Sequence, residues 1–224
     1  MKPVLAGLAL LAAAGSSQAV TVLSEGFDNV SALPASGWVQ VNNSTAPVGT
    51  GWFQGNTGVF TAFSGADDSY AAANFVSTGS PNGAISNWLI MPALTLDSSS
   101  VLSFMVRLGG EGFLDTLEVR FSPNGSSTNV GTTSTSVGDF GILLGTYSGN
   151  TANGWEALSY GLWGLSAPTT GRLAFRYVVG DVSSAGNYIG IDSVSVTAAV
   201  PEPATYLLMA LGVAGLVLRR RMGA

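Results

Sequence analysis

Large apolar residues recur at every second position in three stretches of the chain: Leu102, Phe104, Val106 and Leu108; Leu117, Val119 and Phe121; Leu173, Phe175, Tyr177 and Val179. Between them stand Ser103, Arg107, Glu118, Arg120, Arg172 and Arg176, among others. A period of two sends alternate side chains to opposite faces, so each stretch predicts a half-buried antiparallel strand. Residues 84–91 and 140–147 are candidate strands with less regular alternation. Near the C-terminal end the phase changes: Ile189 and Ile191 occupy odd positions, Val194 and Val196 even ones, with Asp192 between. A slip of one residue predicts a β-bulge at Asp192.

No stretch of residues 20–200 reads as an amphipathic helix, and the 30 glycines and 9 prolines of the chain argue against a helical bundle. Short β-rich runs separated by Gly, Asn, Ser and Pro clusters predict an all-β sandwich or barrel. The span of about 181 residues suffices for one sizeable core. Residues 122–138 are polar and of low complexity, and are expected to form a long solvent-facing loop. Asn29, Asn42, Asn43 and Asn124 begin Asn-x-Ser/Thr triplets that belong to turns rather than to glycan acceptors.

Only 9% of the residues are charged, and cysteine and histidine are absent. An average domain carries about 25% charged residues. Disulfides, thiolate chemistry, Cys/His zinc sites and Ser-His-Asp triads are thereby excluded. The formal net charge of −5 conceals an uneven distribution. Residues 20–200 hold four arginines against twelve acids, a net of −8, while basic residues lie at both ends. So acidic a body repels a polyanion, and nucleic acid is excluded as a partner.

The ends read as addresses. Met1-Lys2 begins a positively charged start, residues 4–15 are uncharged and apolar, and Ser17-Gln18-Ala19 offers small residues at a cleavage site. Residues 1–19 are thus expected to be a secretory signal peptide, with Val20 the mature start. At the other end, Pro201-Glu202-Pro203 precedes fifteen uncharged residues, 204–218, and then Arg219, Arg220 and Arg221. Such a helix would be about 22 Å long against a hydrocarbon core of about 30 Å, a marginal anchor. The arginines hold its end in the cytoplasm and leave the proline pair outside. This tail, 201–224, resembles the PEP-CTERM sorting signal of Gram-negative bacteria. The resemblance implies transient anchoring in the inner membrane, removal of the tail by an exosortase-type processing enzyme, and an exopolysaccharide or biofilm-matrix setting.

The body, residues 20–200, resembles the choice-of-anchor J domain family. The resembling segments include Glu25-Gly26-Phe27-Asp28, Leu33-Pro34-Ala35-Ser36-Gly37-Trp38 and Gly51-Trp52-Phe53-Gln54-Gly55-Asn56. They continue through Ser69-Tyr70-Ala71-Ala72-Ala73-Asn74-Phe75, Ile85-Ser86-Asn87-Trp88-Leu89-Ile90-Met91-Pro92, Gly171-Arg172-Leu173-Ala174-Phe175-Arg176-Tyr177 and the run Tyr188 to Val196. The resemblance implies a jelly-roll-like antiparallel β-sandwich; the family is named for its varied surface anchors and not for an activity.

Three kinds of site are candidates. Glu25, Asp28 and Asp192 lie on the first and last strand regions, which a jelly roll can place side by side, so they could ligate one structural Ca²⁺ through oxygen. The favoured alternative is that they cap turns or pair with Arg172 or Arg176. Asp67-Asp68 lacks the spacing of a calcium loop and reads as a polar turn. Among the tryptophans, Trp38 and Trp88 fall within apolar runs and are expected in the core. Trp52, Trp155 and Trp163 lie beside glycines in expected loops and are the candidates for stacking on sugar rings, although packing is the commoner fate of any one of them. Hydrolysis by paired carboxylates needs no histidine, but Glu111 with Asp115, or Glu118 with Glu156, carries no local signature of it. The reading is an exported, non-catalytic sandwich bound for the envelope surface or extracellular matrix. It is expected to be structural there, or alternatively a carbohydrate-binding module; a glycoside hydrolase is the least favoured.

Overall fold

A computed structural model describes residues 19–110, 112–149, 154–199 and 219–220. The chain divides into two units, residues 21–198 and a second comprising 1–20 with 199–224. The signal peptide, Pro201-Glu202-Pro203, the apolar run 204–218 and Arg221 lie outside the described residues; Arg219 and Arg220 are helical and exposed. Among the described residues no helix is long and apolar enough to cross a membrane.

Among the described residues twelve strands build the body: β1 Ala19–Glu25, β2 Val39–Asn42, β3 Phe53–Gln54, β4 Ala71–Asn74, β5 Ile85–Ile90, β6 Leu94–Leu96, β7 Val101–Leu108, β8 Asp115–Ser122, β9 Ile142–Gly149, β10 Glu156–Gly161, β11 Thr169–Val179 and β12 Tyr188–Ala199. One sheet has the order β10-β7-β12-β4-β3, with β1 on β12; the other runs β2-β5-β11-β8-β9, with β6 on β11. The result is the antiparallel, jelly-roll-like sandwich that the alternation predicts. On β7 burial alternates at every residue, and Leu102, Phe104, Val106 and Leu108 face the shared core with Leu117, Val119, Phe121, Leu173, Phe175 and Tyr177. The first and last strands do pair, and the bulge is where the phase change put it: Asp192 is opposite Met105, but Ser195 is opposite Ser103. Ser193 takes up the extra residue at φ +50°, and Ile189, Ile191, Val194 and Val196 all remain buried.

Two expectations are corrected. The strand expected over 140–147 begins at Ile142, because Phe140 turns inward, fully buried, to pack on Trp88 at 5.5 Å. Nor is 122–138 a free loop. The segment between β8 and β9 lies across the outer face of the β2–β9 sheet, where Val130 and Phe140 join Trp88, Ile90 and Ala174 in a second apolar cluster. Three arginines projecting from that face fasten it. Arg172 Nε donates to the Ser126 carbonyl at 3.1 Å, Arg176 Nη2 to that of Ser134 at 2.5 Å, and Arg120 Nη1 to that of Phe140 at 3.2 Å. With both faces covered, every residue of β5 is buried, which is why its apolar pattern does not alternate.

Candidate functional site

The sandwich has two open flanks, and they end differently. Along β9 and β10 the sheets close on each other: Tyr160 packs across Gly145, where a Cβ would collide with its ring, and Tyr147 is hydrogen-bonded to Glu156. Burial, then the Glu156 carboxylate, raises the Tyr147 phenol well above its ordinary range. Along β2 and β3 the sheets part around a cleft of about 820 Å³.

Local sequence shapes that cleft. Asn29 caps a short 3-10 turn, Val30–Ser36, its Oδ1 accepting from Ser31 N at 3.0 Å and Ser31 Oγ at 2.6 Å. Gly37 ends the turn at φ +83°, a left-handed conformation that suits glycine, and donates to the Pro34 carbonyl at 3.1 Å. The chain then enters β2 with Trp38 turned inward, edge-on to Phe27 at 5.7 Å, and Gln40 follows two residues later. From β3, Gln54 locks the turn: its Oε1 accepts from Val30 N at 2.8 Å, and its Nε2 donates to the carbonyls of Phe27 (2.9 Å) and Asp68 (2.6 Å).

Trp38, Trp52, Phe53 and Pro34 give the cleft an apolar wall; Ser31, Gln40 and Thr50 are among its polar groups, and no lining side chain is ionisable. Two of those lining residues carry buried polar atoms with no hydrogen-bond partner, the Gln40 Oε1 acceptor and the Trp52 Nε1 donor. Leaving such an atom unpaired costs about 1–3 kcal/mol. Uncharged polar side chains such as Ser31, Gln40 and Thr50 beside aromatic rings suit a neutral, hydroxyl-bearing ligand, since a hydroxyl both gives and takes a hydrogen bond. With no carboxylate in the lining, the cleft itself offers no acid–base pair.

The three stacking candidates therefore have three fates. Trp52 is 1% exposed and lines the cleft instead of forming a surface platform. Trp155 is half-buried, edge-on to Phe60 (5.4 Å) and Tyr70 (5.6 Å), and its Nε1 donates to the Thr61 carbonyl at 3.0 Å. Trp163 is 81% exposed. Trp38 and Trp88 are buried as expected. Gln40 was not singled out from the sequence; its one signal was a position two residues beyond Trp38, on the same side of the strand.

The acids nominated for calcium each have an acceptor's task. Asp192, fully buried, receives the backbone N–H groups of Phe63 (2.9 Å), Ser64 (3.0 Å) and Ser193. Burial pushes its carboxyl above the usual aspartate range, against the pull of those amides. Glu25 accepts from Phe27 N at 2.7 Å, supporting that residue at φ +56°, and Asp28 accepts from Ser69 Oγ at 2.8 Å. Among the described residues no group of three or more acids is placed to hold a metal ion. Asp67 and Asp68 form the polar turn expected of them.

Of the carboxylates weighed for hydrolysis, Glu111 lies outside the described residues. Asp115 is buried and accepts from Tyr177 Oη at 2.5 Å and Asn187 N at 2.8 Å. Glu118 Oε2 is shared between Arg120 Nε at 2.6 Å and Arg176 Nη1 at 2.9 Å, whereas Glu156 serves Tyr147.

Comparison with known proteins separates tail from body. Residues 199–221 match the family described as the PEP-CTERM protein-sorting motif, which suggests an exported protein with a membrane-anchored stage. No curated protein matches the chain. The body is similar in structure to the K1 cleaved adhesin domain of Lys-gingipain from Porphyromonas gingivalis W83, with a TM-score of 0.57 and 22% identity over 81% of this chain and 99% of that one. It is also similar to the K3 cleaved adhesin domain of the same protein and organism, with a TM-score of 0.51 and 20% identity over 80% of this chain and 100% of that one. At such identities the likeness speaks for the fold. The chain thus carries a PEP-CTERM sorting motif behind a sandwich of cleaved-adhesin-like architecture.

Proposed function

We propose that the protein is an exported, non-catalytic carbohydrate-recognition domain of the cell envelope or its exopolysaccharide matrix. Residues 1–19 direct export, and Arg219–Arg221 hold the tail at the inner membrane. An exosortase-type enzyme then releases the body near Pro201-Glu202-Pro203. The choice-of-anchor J resemblance belongs to the same proposal. One observation carries the recognition role: Gln40 and Trp52, whose Oε1 and Nε1 are buried without a partner, both line the same uncharged aromatic cleft. A hydroxylated sugar that drew either side chain toward it would satisfy that chain's unpaired atom and recover what its isolation costs.

The test is titration of the purified protein with neutral and acidic polysaccharides, following tryptophan fluorescence. Saturable binding of neutral chains, insensitive to salt and reduced by loss of the cleft contribution in Gln40→Leu, is the expected result. Absence of saturable binding would leave a purely structural matrix role. Mass spectrometry of the protein from its native cells tests the sorting half: a C-terminus near residue 200 is expected, and an intact tail recovered only in membranes would contradict it.

A further inference from the structure

Trp163 is the most exposed of the large apolar residues described, at 81% against 55% for the next, Leu114. It nonetheless rests on the backbone. The indole lies across Gly161, the last residue of β10, so closely that a Cβ there would collide with Cε2, Nε1 and Cζ2. The preceding aromatic, Tyr160, is used inward, stacked on Phe104 at 6.2 Å and packed over Gly145. The glycine thus seats the second ring with most of its surface in water. An exposed indole seated in this way is an apolar platform for the C–H face of a pyranose.

Its place in the sheet matters as much as its exposure. β10 is one edge of the sheet β10-β7-β12-β4-β3, and β3, at the other edge, lines the cleft. Four strand spacings separate those edges, about 19 Å, and they face away from each other. We propose that Trp163 is a second sugar-stacking site, making one domain bivalent and so a cross-linker of neutral polysaccharide chains. The bivalence rests on the cleft reading for its other arm; the Trp163 site does not.

The test mixes the full-length protein with galactomannan, xyloglucan and mixed-linkage β-glucan, and reads light scattering beside binding of the matching oligosaccharides. For a chain that binds, wild-type protein is expected to raise scattering to a maximum at intermediate ratios and to lose it in excess protein. Trp163→Ala, an exposed change whose folding circular dichroism checks, should keep oligosaccharide binding at the cleft while scattering falls about tenfold or more as avidity is lost. Gln40→Leu should also abolish the network, yet retain quenching that disappears when Trp163→Ala is added. Undiminished scattering by Trp163→Ala would overturn the proposal. Loss of all binding in Trp163→Ala, with Gln40→Leu binding like wild type, would instead sink the cleft reading and bivalence while leaving the Trp163 site standing. Absence of quenching by any of the three chains would overturn both sites.

Discussion

The segment over the β2–β9 sheet and the cleft between β2 and β3 both set aromatic rings beside polar groups, charged under the segment and uncharged in the cleft, but they differ in how completely those groups are paired. Under the segment, Arg176 donates to Ser86 Oγ (3.0 Å), Glu118 and the Ser134 carbonyl, and lies 5.0 Å above the Trp88 ring. Arg172 gives its hydrogens to three carbonyls, those of Ser126, Gly37 and Met91. On two residues that line the cleft, Gln40 and Trp52, an acceptor and a donor are buried and left unpaired. The same chain can therefore saturate polar groups on a buried face when only stability is at stake. We propose that a partner from outside completes the pairing of the Gln40 and Trp52 atoms; Arg107 Nε and Asp115 Oδ2 are also buried without a partner, on residues that do not line the cleft.

The largest effect should come from the clamp. Arg176→Met strands the Glu118 carboxylate with one partner and frees the Ser134 carbonyl, and should cost about 3–5 kcal/mol in chemical denaturation. A cost below about 1 kcal/mol would mean the clamp contributes little and would erase the contrast. Phe140→Ala opens a cavity against Trp88 and should cost about 3–4 kcal/mol. It should also make residues 123–141 the first site of proteolysis, measured by limited digestion and mass spectrometry.

Glu118→Gln is smaller and depends on pH. Burial pushes the Glu118 carboxyl up, but the hydrogen bonds and charges of Arg120 and Arg176 outweigh it and hold the group below the ordinary glutamate range. A depressed folded-state value adds stability that is fully present above the unfolded value and is lost as pH falls through the folded one. The substitution should therefore cost about 2 kcal/mol at neutral pH and progressively less in acid, because the buried pair is lost in both proteins. Denaturation curves that differ by the same amount from pH 7 to pH 3 would refute this.

How far this contrast could be read from sequence depends on what each element answers to. Strands β7 and β8 bury one face, and β11 carries Arg172 and Arg176 on its covered outer face, so the alternation was visible in Leu102, Phe104, Val106, Phe121 and Phe175. The bulge was visible because a phase slip between Ile191 and Val194 has no other economical cause. The covering segment was hidden by its composition. Val130, Val137 and Phe140 are its few anchors, and its arginine partners lie on three strands distant in sequence. The apolar residues of β5, Ile85 and the run Trp88-Leu89-Ile90, do not alternate, and this was the available clue that both faces of its sheet are covered. Exposure of the tryptophans was illegible for a related reason. Adjacent glycines accompany Trp52, in a cleft wall, and Trp163, out in water; only the partner strands tell the two apart.

The smallest expected change in stability is also the most telling. Gln40→Leu replaces a buried, unpaired acceptor by an apolar group of similar size, and so should leave the melting temperature unchanged or raise it slightly, for a gain in stability of no more than about 1 kcal/mol. The decisive measurement is that melting temperature taken together with calorimetric titration of neutral oligosaccharides into the same variant. A protein as stable as wild type that no longer binds at the cleft is the expected result. A variant that binds as wild type does, or one that melts markedly lower because Gln40 had a structural partner after all, would contradict the account.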